Sequence, residues 1–202
     1  MRVFLCDVGN IPQDVIKKAA QLLPSERAPK ENARADAFTA RVVGTLLAHY
    51  AIKQISPETV CEKWLISDGG KPHLENCPVH FNISHASGIV AVAVSESSFV
   101  GVDMEAVRTM REGFAARYFS DAEQHLIRTA EDPDEALIRL WTAKEAVGKY
   151  LGTGLGESIP AIDTQQAAST VFERNGTRFA LSVAPKCDLP LLEWVDFEDL
   201  VP

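Results

Sequence analysis

Two carboxylates close an apolar run near the middle of the chain. The stretch FVGVDMEAVR, residues 99–108, places Asp103 and Glu105 two positions apart. In a β-strand, side chains at positions i and i+2 point to the same face, so these two acids would lie side by side. Two like charges at that spacing repel unless a cation lies between them. The pair is therefore either a solvated strand end or part of a cation site.

A predicted helix carries a third acid and a lysine. In WTAKEAVGKYLG, residues 141–152, Glu145 and Lys149 are four positions apart and share a helix face. Taken alone they form a surface ion pair worth roughly 0.2–0.5 kcal/mol. Together with the strand pair, however, they supply three carboxylates, the donors that a hard cation such as Mg²⁺ uses alongside water or phosphate oxygens. Because a lysine beside them would neutralise a phosphate, the set predicts a metal–phosphate site.

A serine and a histidine end another predicted strand. NISHASG, residues 82–88, places Ser84 and His85 just before a glycine. The hydroxyl, the imidazole and free backbone N–H groups would donate to an anion, although a turn with one exposed histidine has the same sequence. His80 and His85 are five positions apart and would face opposite sides of a continuous strand, so a histidine metal site is not expected.

The composition is that of an ordinary globular protein. The 202 residues are 46% hydrophobic and 24% charged, which suits one large domain or two small ones. The net charge of −8 argues against a general nucleic-acid binder. No apolar run is long enough for a signal peptide or a membrane helix. Four scattered cysteines without a C-x-x-C pair are expected to be reduced, which predicts a cytoplasmic protein. From the net charge and the short apolar runs, we expect binding to neither nucleic acid nor membrane.

The elements that position these residues predict an α+β fold. Alternating or β-branched runs indicate strands, and apolar residues at helical spacing indicate helices. The predicted strands cover residues 3–8, 79–84, 88–95 and 99–105, a hairpin with an Asn-Gly turn over 173–183, and a last strand within 189–197. The predicted helices cover 11–23, 31–50 and about 132–151.

Two N-cap signatures mark helix starts in the second half of the chain. Ser120-x-x-Glu123 is a capping box, and Asp132-Pro133-x-Glu135 combines an N-cap residue with a proline at the first helical position. Glu145 and Lys149 are expected at the edge of the long helix's apolar stripe. That stripe is predicted to contain Leu137, Leu140, Val147 and Leu151.

A weak internal repeat suggests two similar subdomains. In each half, a strand ending in Asp (FLCD, VGVD) precedes a segment with Ser and acids (LPSER, FSDAE), then a long helix, then a turn and hairpin. The predicted halves are residues 1–96 and 97–202. The acid pair would then lie near their junction, where clefts are common, and an active site between the halves is expected.

Four segments in this order closely resemble the 4′-phosphopantetheinyl transferase superfamily. They are FNISHASG (81–88), GVDMEAVR (101–108), YFSDAE (118–123) and LWTAKEAVGKYLGTGL (140–155). The resemblance runs from about residue 70 to 155 and is to the surfactin-type (Sfp-type) enzymes rather than to the short trimeric holo-acyl-carrier-protein synthases. It implies a monomer with a pseudo-dimeric fold of two similar α/β subdomains, the first on the coenzyme A adenine and 3′-phosphate side.

The resemblance also implies a role for each matching residue. The acids matching Asp103, Glu105 and Glu145 hold Mg²⁺ (Mn²⁺ in its place) against the pyrophosphate of coenzyme A, which the lysine matching Lys149 contacts. The residues matching Ser84 and His85 contact coenzyme A phosphates, with the histidine on the 3′-phosphate side. The element that lines the adenine pocket is Gly70-Lys71-Pro72.

The N-terminal part of the chain fits the family more loosely. Family members use early basic residues for the 3′-phosphate, and the candidates here are Arg27, Lys30 and Arg41. Pro29 interrupts this basic segment, which leaves its register open. Met104 replaces the usual branched aliphatic residue between the two acids, a volume-conserving change that a core tolerates.

The implied reaction fits the chemistry of these residues. A serine hydroxyl needs a base, and Glu145 is placed to take the proton of a carrier protein's serine, directly or through a water. Mg²⁺ and Lys149 would stabilise the charge on the transferred and leaving oxygens. Glu123 either supports the site or caps its helix, and Ser120 favours the cap.

The implied partners are coenzyme A and an apo acyl- or peptidyl-carrier protein. Carrier proteins are acidic, so a net negative enzyme needs a local basic patch to bind one, and the candidates are Arg108, Arg111, Arg117 and Arg128. Two other functions remain open. One is a different Mg²⁺-dependent phosphotransferase or pyrophosphatase acting on a nucleotide, and the other is a non-enzymatic module that binds carrier proteins.

Overall fold

A computed structural model describes residues 1–30, 32–60, 63–67, 70–153, 159–188 and 191–201. The chain divides into two compact units, Met1–Val100 with Pro190–Pro202 (unit 1) and Gly101–Leu189 (unit 2). Both contain helices and strands, which confirms the predicted α+β class. The predicted similarity between the halves stays a prediction, and residues 154–155 of the motif segment lie outside the described residues. No described helix is both long and apolar enough to cross a membrane.

The helices and strands follow the predicted order, with shifted ends. In chain order they are β1 (Arg2–Asp7), α1 (Gln13–Ala19), α2 (Ala35–Ile55), β2 (Trp64–Ile66), β3 (Pro72–Leu74), β4 (His80–Ala86), β5 (Ile89–Ser95), β6 (Gly101–Ala106), α3 (Phe114–Tyr118), α4 (Asp121–Thr129), α5 (Pro133–Leu151), β7 (Ala168–Arg174), β8 (Thr177–Ala184) and β9 (Leu192–Trp194). The helix predicted from residue 31 begins at Ala35, and Glu31 itself lies outside the described residues.

Unit 1 is built on a four-stranded sheet in the order β4-β5-β1-β9. Strand β5, IVAVAVS, is buried along its whole length, as expected for a central strand of β-branched and small residues. Helix α2 packs against this sheet through a buried face that includes Val42, Val43 and Leu47. A separate two-stranded ribbon, β2-β3, completes the unit.

The C-terminal segment returns to unit 1. Strand β9 pairs parallel with β1, with Val3 opposite Leu192, and this confirms a last strand within the predicted range. Arg2 donates to both carboxylate oxygens of Glu193 at 2.7 and 2.6 Å, a bidentate pair beside that ladder. Parallel pairing joins residues far apart in sequence, so no local pattern predicts it.

Unit 2 is a three-stranded antiparallel sheet, β6-β8-β7, with α5 packed against it. The β7–β8 hairpin turns at Asn175 and Gly176, with φ angles of 52° and 73°, which confirms the predicted Asn-Gly turn. Both predicted caps form: Ser120 closes a capping box, and the Asp132 side chain accepts from the Glu135 backbone N–H at 3.0 Å.

Two details of the sequence-based prediction are wrong. Leu151 is 54% exposed rather than part of the buried stripe, because α5 ends there and left-handed Gly152 turns the chain away. The expectation of four reduced cysteines fails at Cys77, which is disulfide-bonded, whereas Cys6 and Cys187 are free thiols. Cys61 lies outside the described residues. Cysteine spacing does not predict which thiols the fold brings together.

A half-buried histidine gives unit 1 a pH-dependent stability. His49 Nε2 accepts a hydrogen bond from Trp64 Nε1 at 3.0 Å, which requires an unprotonated nitrogen. Burial, with a smaller effect of Lys53, lowers the pKa of His49 below its ordinary value of 6.5. Below about pH 6.5 the unfolded chain therefore takes up a proton that the folded chain does not. The free energy of unfolding of the protein consequently decreases as the pH is lowered.

We predict that His49→Gln flattens this dependence. The wild-type free energy of unfolding in urea should decrease from about pH 7 to about pH 5 and level off below the folded pKa. The variant should be less stable at pH 7 but should lose less stability over that range. His125→Gln, on the exposed side of α4, is the matched control and should retain the wild-type slope. Equal slopes for wild type and His49→Gln would contradict the prediction.

Candidate active site

The predicted acid pair lies on an edge strand of unit 2. In β6, Asp103 is buried and Glu105 is half-buried, and in the ladder with β8 they lie opposite Ser182 and Ala180. Among the residues that the structure describes, no strand pairs with the other side of β6, and alternation places both acids on one face. The predicted side-by-side arrangement is therefore present, but it is more buried than a solvated strand end would be.

Helix α5 brings the other two predicted residues to this strand. Lys149 Nζ donates to Asp103 Oδ1 at 2.7 Å and to the Val102 carbonyl at 3.1 Å. The lysine predicted to pair with Glu145 along the helix thus also reaches across to β6. Glu145 is half-buried on the same helix. The three acids and the lysine, which we call the acid cluster (Asp103, Glu105, Glu145 and Lys149), all belong to unit 2.

The acids of this cluster repel one another. The pKa of Glu145 is raised to about 7, first by burial and then by the charge of Asp103, with a smaller contribution from Glu105 and an opposing effect of Lys149. Burial and Asp103 likewise raise the pKa of Glu105, while Arg108 and Lys149 lower it. Both glutamates are therefore close enough to Asp103 to sense its charge.

The chemistry of this cluster suits a hard divalent cation. Mg²⁺ prefers carboxylate oxygens, and it would relieve the repulsion that raises the two glutamate pKa values. Among the described residues, no three His, Cys, Asp or Glu side chains are already arranged as a metal-ligand set. The cluster thus has the donor type and the charge for Mg²⁺, with Lys149 as the observed cation beside Asp103.

A glycine allows strand and helix to approach closely. A β-carbon added at Gly101 would overlap the Ala146 carbonyl oxygen and lie 2.6 Å from the Tyr150 backbone nitrogen. The β6 backbone therefore packs directly on the backbone of α5, two residues before Asp103. On the buried side, Thr142 and Ser182 hydroxyls lie 2.8 Å apart and connect α5 to β8.

Sequence reasoning missed one buried cation. Lys144 is fully buried, and its Nζ lies 2.9 Å from Glu123 Oε1. The other oxygen of Glu123 accepts from the Ser120 backbone N–H at 2.8 Å, so this glutamate both caps α4 and pairs with a lysine. The signal was available, because Lys144 lies seven residues after Leu137 and three before Val147, inside the apolar stripe of α5.

In unit 1, the predicted serine and histidine lie within β4 rather than at its end. Ser84 is buried and His85 is exposed, and the turn follows at Ser87 and Gly88, with φ angles of 44° and 82°. His85 lines a cavity of about 420 Å³. The other polar side chains around this cavity are Gln13, Asp36, Thr39 and Ser87.

The predicted Gly70-Lys71-Pro72 element forms a turn before β3. Gly70 has a φ of 79°, and its backbone N–H donates to the Ser67 carbonyl at 2.8 Å. Lys71 Nζ donates to the Val100 carbonyl at 2.7 Å and lies 6.0 Å from the centre of the Phe99 ring. This lysine is thus held against the last residues of unit 1.

The early basic residues differ in their surroundings. Arg27 is buried over the Trp64 ring at 4.9 Å, and its Nε donates to Thr45 Oγ1 at 3.1 Å. Burial and, to a smaller extent, the charge of Arg41 together lower the pKa of Arg27 to about 10, so the two guanidinium groups lie close enough to interact. Lys30 is exposed. Two neighbouring cations of this kind favour an anion near Arg27 and Arg41.

Comparison with known proteins confirms the resemblance read from the sequence. Residues 99–187, which contain the whole acid cluster, match the family model of the 4′-phosphopantetheinyl transferase superfamily. The chain is 36% identical over 94 residues to the Bacillus subtilis 4′-phosphopantetheinyl transferase ffp, covering 45% of this chain and 41% of that protein. It is 34% identical over 94 residues to Sfp of Bacillus subtilis strain 168, with the same two coverages.

A longer match is found in a Salmonella protein. The 4′-phosphopantetheinyl transferase AcpT of Salmonella typhimurium is 31% identical over 120 residues, covering 56% of this chain and 62% of that protein. The match to each of the two Bacillus relatives covers only about two fifths of that relative's length. The holo-[acyl-carrier-protein] synthase structure from Thermotoga maritima aligns with 25% identity over 44% of this chain and 63% of that one, at a TM-score of 0.33.

We predict that Gly101→Ala separates strand and helix. The added methyl group meets backbone atoms that no side-chain rotation can move, so we expect a loss of about 2–3 kcal/mol in the free energy of unfolding. Gly9→Ala is the matched control, since its β-carbon would make an ordinary 3.5 Å contact with Asp7 Oδ1. Urea unfolding of both variants measures the difference. A Gly101→Ala protein as stable as the Gly9→Ala protein would rule out the close backbone contact.

Proposed function

We propose that this chain, whose residues 99–187 match the family model of the 4′-phosphopantetheinyl transferase superfamily, transfers the 4′-phosphopantetheine group of coenzyme A to a serine of an apo acyl- or peptidyl-carrier protein. Adenosine 3′,5′-bisphosphate is released. The observation that carries the proposal is the acid cluster, because three carboxylates and a lysine converge inside the segment that matches the superfamily. Such a group suits the handling of a metal-bound pyrophosphate.

Asp103, Glu105 and Glu145 would hold the metal ion. Their oxygen donors and mutual repulsion suit Mg²⁺, with Mn²⁺ as a substitute. When bound, the ion supplies positive charge that neutralises the pyrophosphate oxygens of coenzyme A. Lys149, which donates to Asp103 in this structure, would contact the pyrophosphate from its position beside the acids.

The chain's own residues would handle the proton and the developing charge. Glu145, with a pKa of about 7, accepts the proton of the carrier serine directly or through a water. The serine oxygen forms a bond to the pantetheine-side phosphorus, and the bond from that phosphorus to the bridging oxygen breaks. That oxygen leaves with adenosine 3′,5′-bisphosphate, and the Lys149 ammonium stabilises its negative charge.

Residues of unit 1 would hold the nucleotide part of coenzyme A. Arg27, Lys30 and Arg41 are proposed for the 3′-phosphate, supported by the positive charge of Arg41, which contributes to the lowered pKa of the buried Arg27. Ser84 and His85 on β4 are proposed for the phosphates. For the adenine we propose the turn formed by Gly70, Lys71 and Pro72.

The carrier protein would bind to exposed arginines of unit 2. Arg108, Arg111, Arg117 and Arg128 are all exposed. Arg117 lies over the Tyr118 ring at 5.1 Å, which combines a cation with an apolar surface. Since carrier proteins are acidic, such a group offers complementary charge on a protein whose net charge is −8. We propose that the enzyme acts as a monomer in the cytoplasm.

We predict that the transfer requires the acids of the cluster. Incubation of an apo carrier protein with the wild-type chain, coenzyme A and Mg²⁺ should add one phosphopantetheinyl group, measured by intact-protein mass spectrometry, and EDTA should prevent the addition. Glu105→Ala and Glu145→Ala should lower the rate at least about 10²-fold, because each removes charge at the reacting phosphates. Glu112→Ala, an exposed glutamate of the same unit, is the matched control and should retain the rate.

Two outcomes would contradict this function, and a third would contradict the metal site. No addition with any acyl- or peptidyl-carrier protein, despite binding of Mg²⁺ and coenzyme A, would favour a module that only binds carriers. Hydrolysis of coenzyme A or a nucleotide without a protein acceptor would favour a pyrophosphatase. Near-wild-type turnover by Glu105→Ala or Glu145→Ala would remove the metal-site assignment.

We predict that His85 recognises the 3′-phosphate. His85→Ala should raise the KM for coenzyme A about tenfold, since one hydrogen bond to a charged group is worth about 1.5–3 kcal/mol. The change should be much smaller with 3′-dephospho-coenzyme A, which lacks the phosphate. His125→Ala, also exposed but on α4, is the control. Equal damage with both substrates would place His85 elsewhere in the reaction.

A further inference from the structure

Lys144 is a buried cation whose donors are all used. Its side chain has no solvent exposure, so the ammonium receives no compensation from bulk water. Four oxygens lie within 3.3 Å of Nζ: Glu123 Oε1 at 2.9 Å and the carbonyls of Ile159, Pro160 and Ile162 at 3.1, 3.3 and 3.2 Å. An ammonium has only three N–H groups, so this set saturates it.

These contacts join two other segments to α5. Glu123 belongs to the capping box that starts α4, and the three carbonyls belong to the 3₁₀ turn Ile159–Ala161 and the residue after it. The Nζ atom also lies 5.6 Å from the centre of the Phe119 ring, which precedes α4. A single side chain thus holds the start of α4 and the chain that follows α5 against the middle of that helix.

The position of Lys144 on the helix gives these contacts a consequence for Glu145. Successive residues are about 100° apart around a helix axis, so Lys144 and Ala146 lie on opposite flanks of Glu145. The Ala146 flank packs on the backbone of Gly101, as described above. The Lys144 flank is held by Glu123 and the three carbonyls. The turn of α5 that carries Glu145 is therefore fixed from both sides.

Glu145 needs such support because neighbouring carboxylates repel its negative charge. Its closest charged groups on β6 are the carboxylates of Asp103 and Glu105, and a helix free to rotate or shift would relieve their repulsion by moving Glu145 outward. Lys144 itself lies on the flank of α5 bound to Glu123 and so acts through the helix backbone.

We propose that Lys144 is a positioning residue, which holds the turn of α5 bearing Glu145 at a fixed distance from β6 by binding Glu123 and the carbonyls of residues 159–162. The inference rests on the proposed transfer reaction and adds a residue to it. Lys144 is expected to set the rate of the chemical step and to leave the affinity for coenzyme A nearly unchanged.

The first test is Lys144→Met, which keeps the length of the side chain and removes its charge. In the folded variant, kcat for transfer to the carrier should fall about 10²-fold, the cost of a small misplacement of a reacting group. The KM for coenzyme A should stay within about threefold. Amide hydrogen exchange of residues 143–149 should become faster. Arg139→Met, an exposed cation on the same helix, is the matched control and should leave all three quantities unchanged.

A second pair of variants separates positioning from stability. Lys144→Met leaves the Glu123 carboxylate without its partner, whereas the double variant Lys144→Met/Glu123→Gln removes both charges and keeps a capping residue. We expect the double variant to recover the urea midpoint but not kcat. If Lys144→Met does not fold, Glu123→Gln alone tests whether Lys144 positions Glu145. We expect kcat of Glu123→Gln to fall about tenfold, because the substitution weakens the strongest contact of Lys144.

The outcomes that overturn the inference differ from those that overturn the function. A folded Lys144→Met protein with wild-type kcat, or a double variant that recovers kcat together with stability, would show that Lys144 only stabilises the fold. Unchanged kcat in Glu123→Gln would do the same. If the wild-type chain modifies no carrier protein, the proposed function fails, and hydrogen exchange alone decides the role of Lys144: faster exchange at 143–149 supports it and unchanged exchange rejects it.

Discussion

Repulsion among three carboxylates is the constraint on which unit 2 depends. Asp103 and Glu105 extend from one strand and Glu145 from the helix packed on it, and burial strengthens their interaction by removing water. A fold that holds these groups together must fix the strand and helix firmly. It must also place a cation among the acids, and in this structure Lys149 fills that role at 2.7 Å from Asp103.

Helix α5 meets this demand by giving each of its faces a different contact. One flank lies on the backbone of Gly101, where a glycine is the only residue without a colliding β-carbon. The other flank holds the buried ammonium of Lys144. Between them, Thr142 reaches the Ser182 hydroxyl on β8. The side of α5 that faces the acids of β6 carries Glu145 and Lys149. These separate contacts explain why this part of α5 contains several polar residues.

Unit 1 offers a different kind of chemistry. Its two guanidinium groups, Arg27 and Arg41, lie close together, and an aromatic ring supports the first of them. A group of this kind attracts an anion, whereas the acid cluster of unit 2 attracts a cation.

Features that depend on a few neighbouring residues could be predicted from the sequence alone. The two acids on one strand face, the capping box at Ser120, the long helix after Asp132 and the Asn-Gly hairpin turn all follow local rules of spacing and backbone geometry. The superfamily motifs were also readable, because they are runs of neighbouring residues. Only the tertiary structure decided which distant groups meet.

The contacts between residues distant in sequence include those on which the site depends. Lys149 reaches Asp103, Lys144 is buried against Glu123, and Gly101 lies against the backbone of α5. These contacts join positions about 20 to 46 residues apart, and their energy depends on burial and exact distance rather than on local propensity. A sequence shows that a lysine or a glycine is present. Only the packed structure shows which charge or backbone it meets.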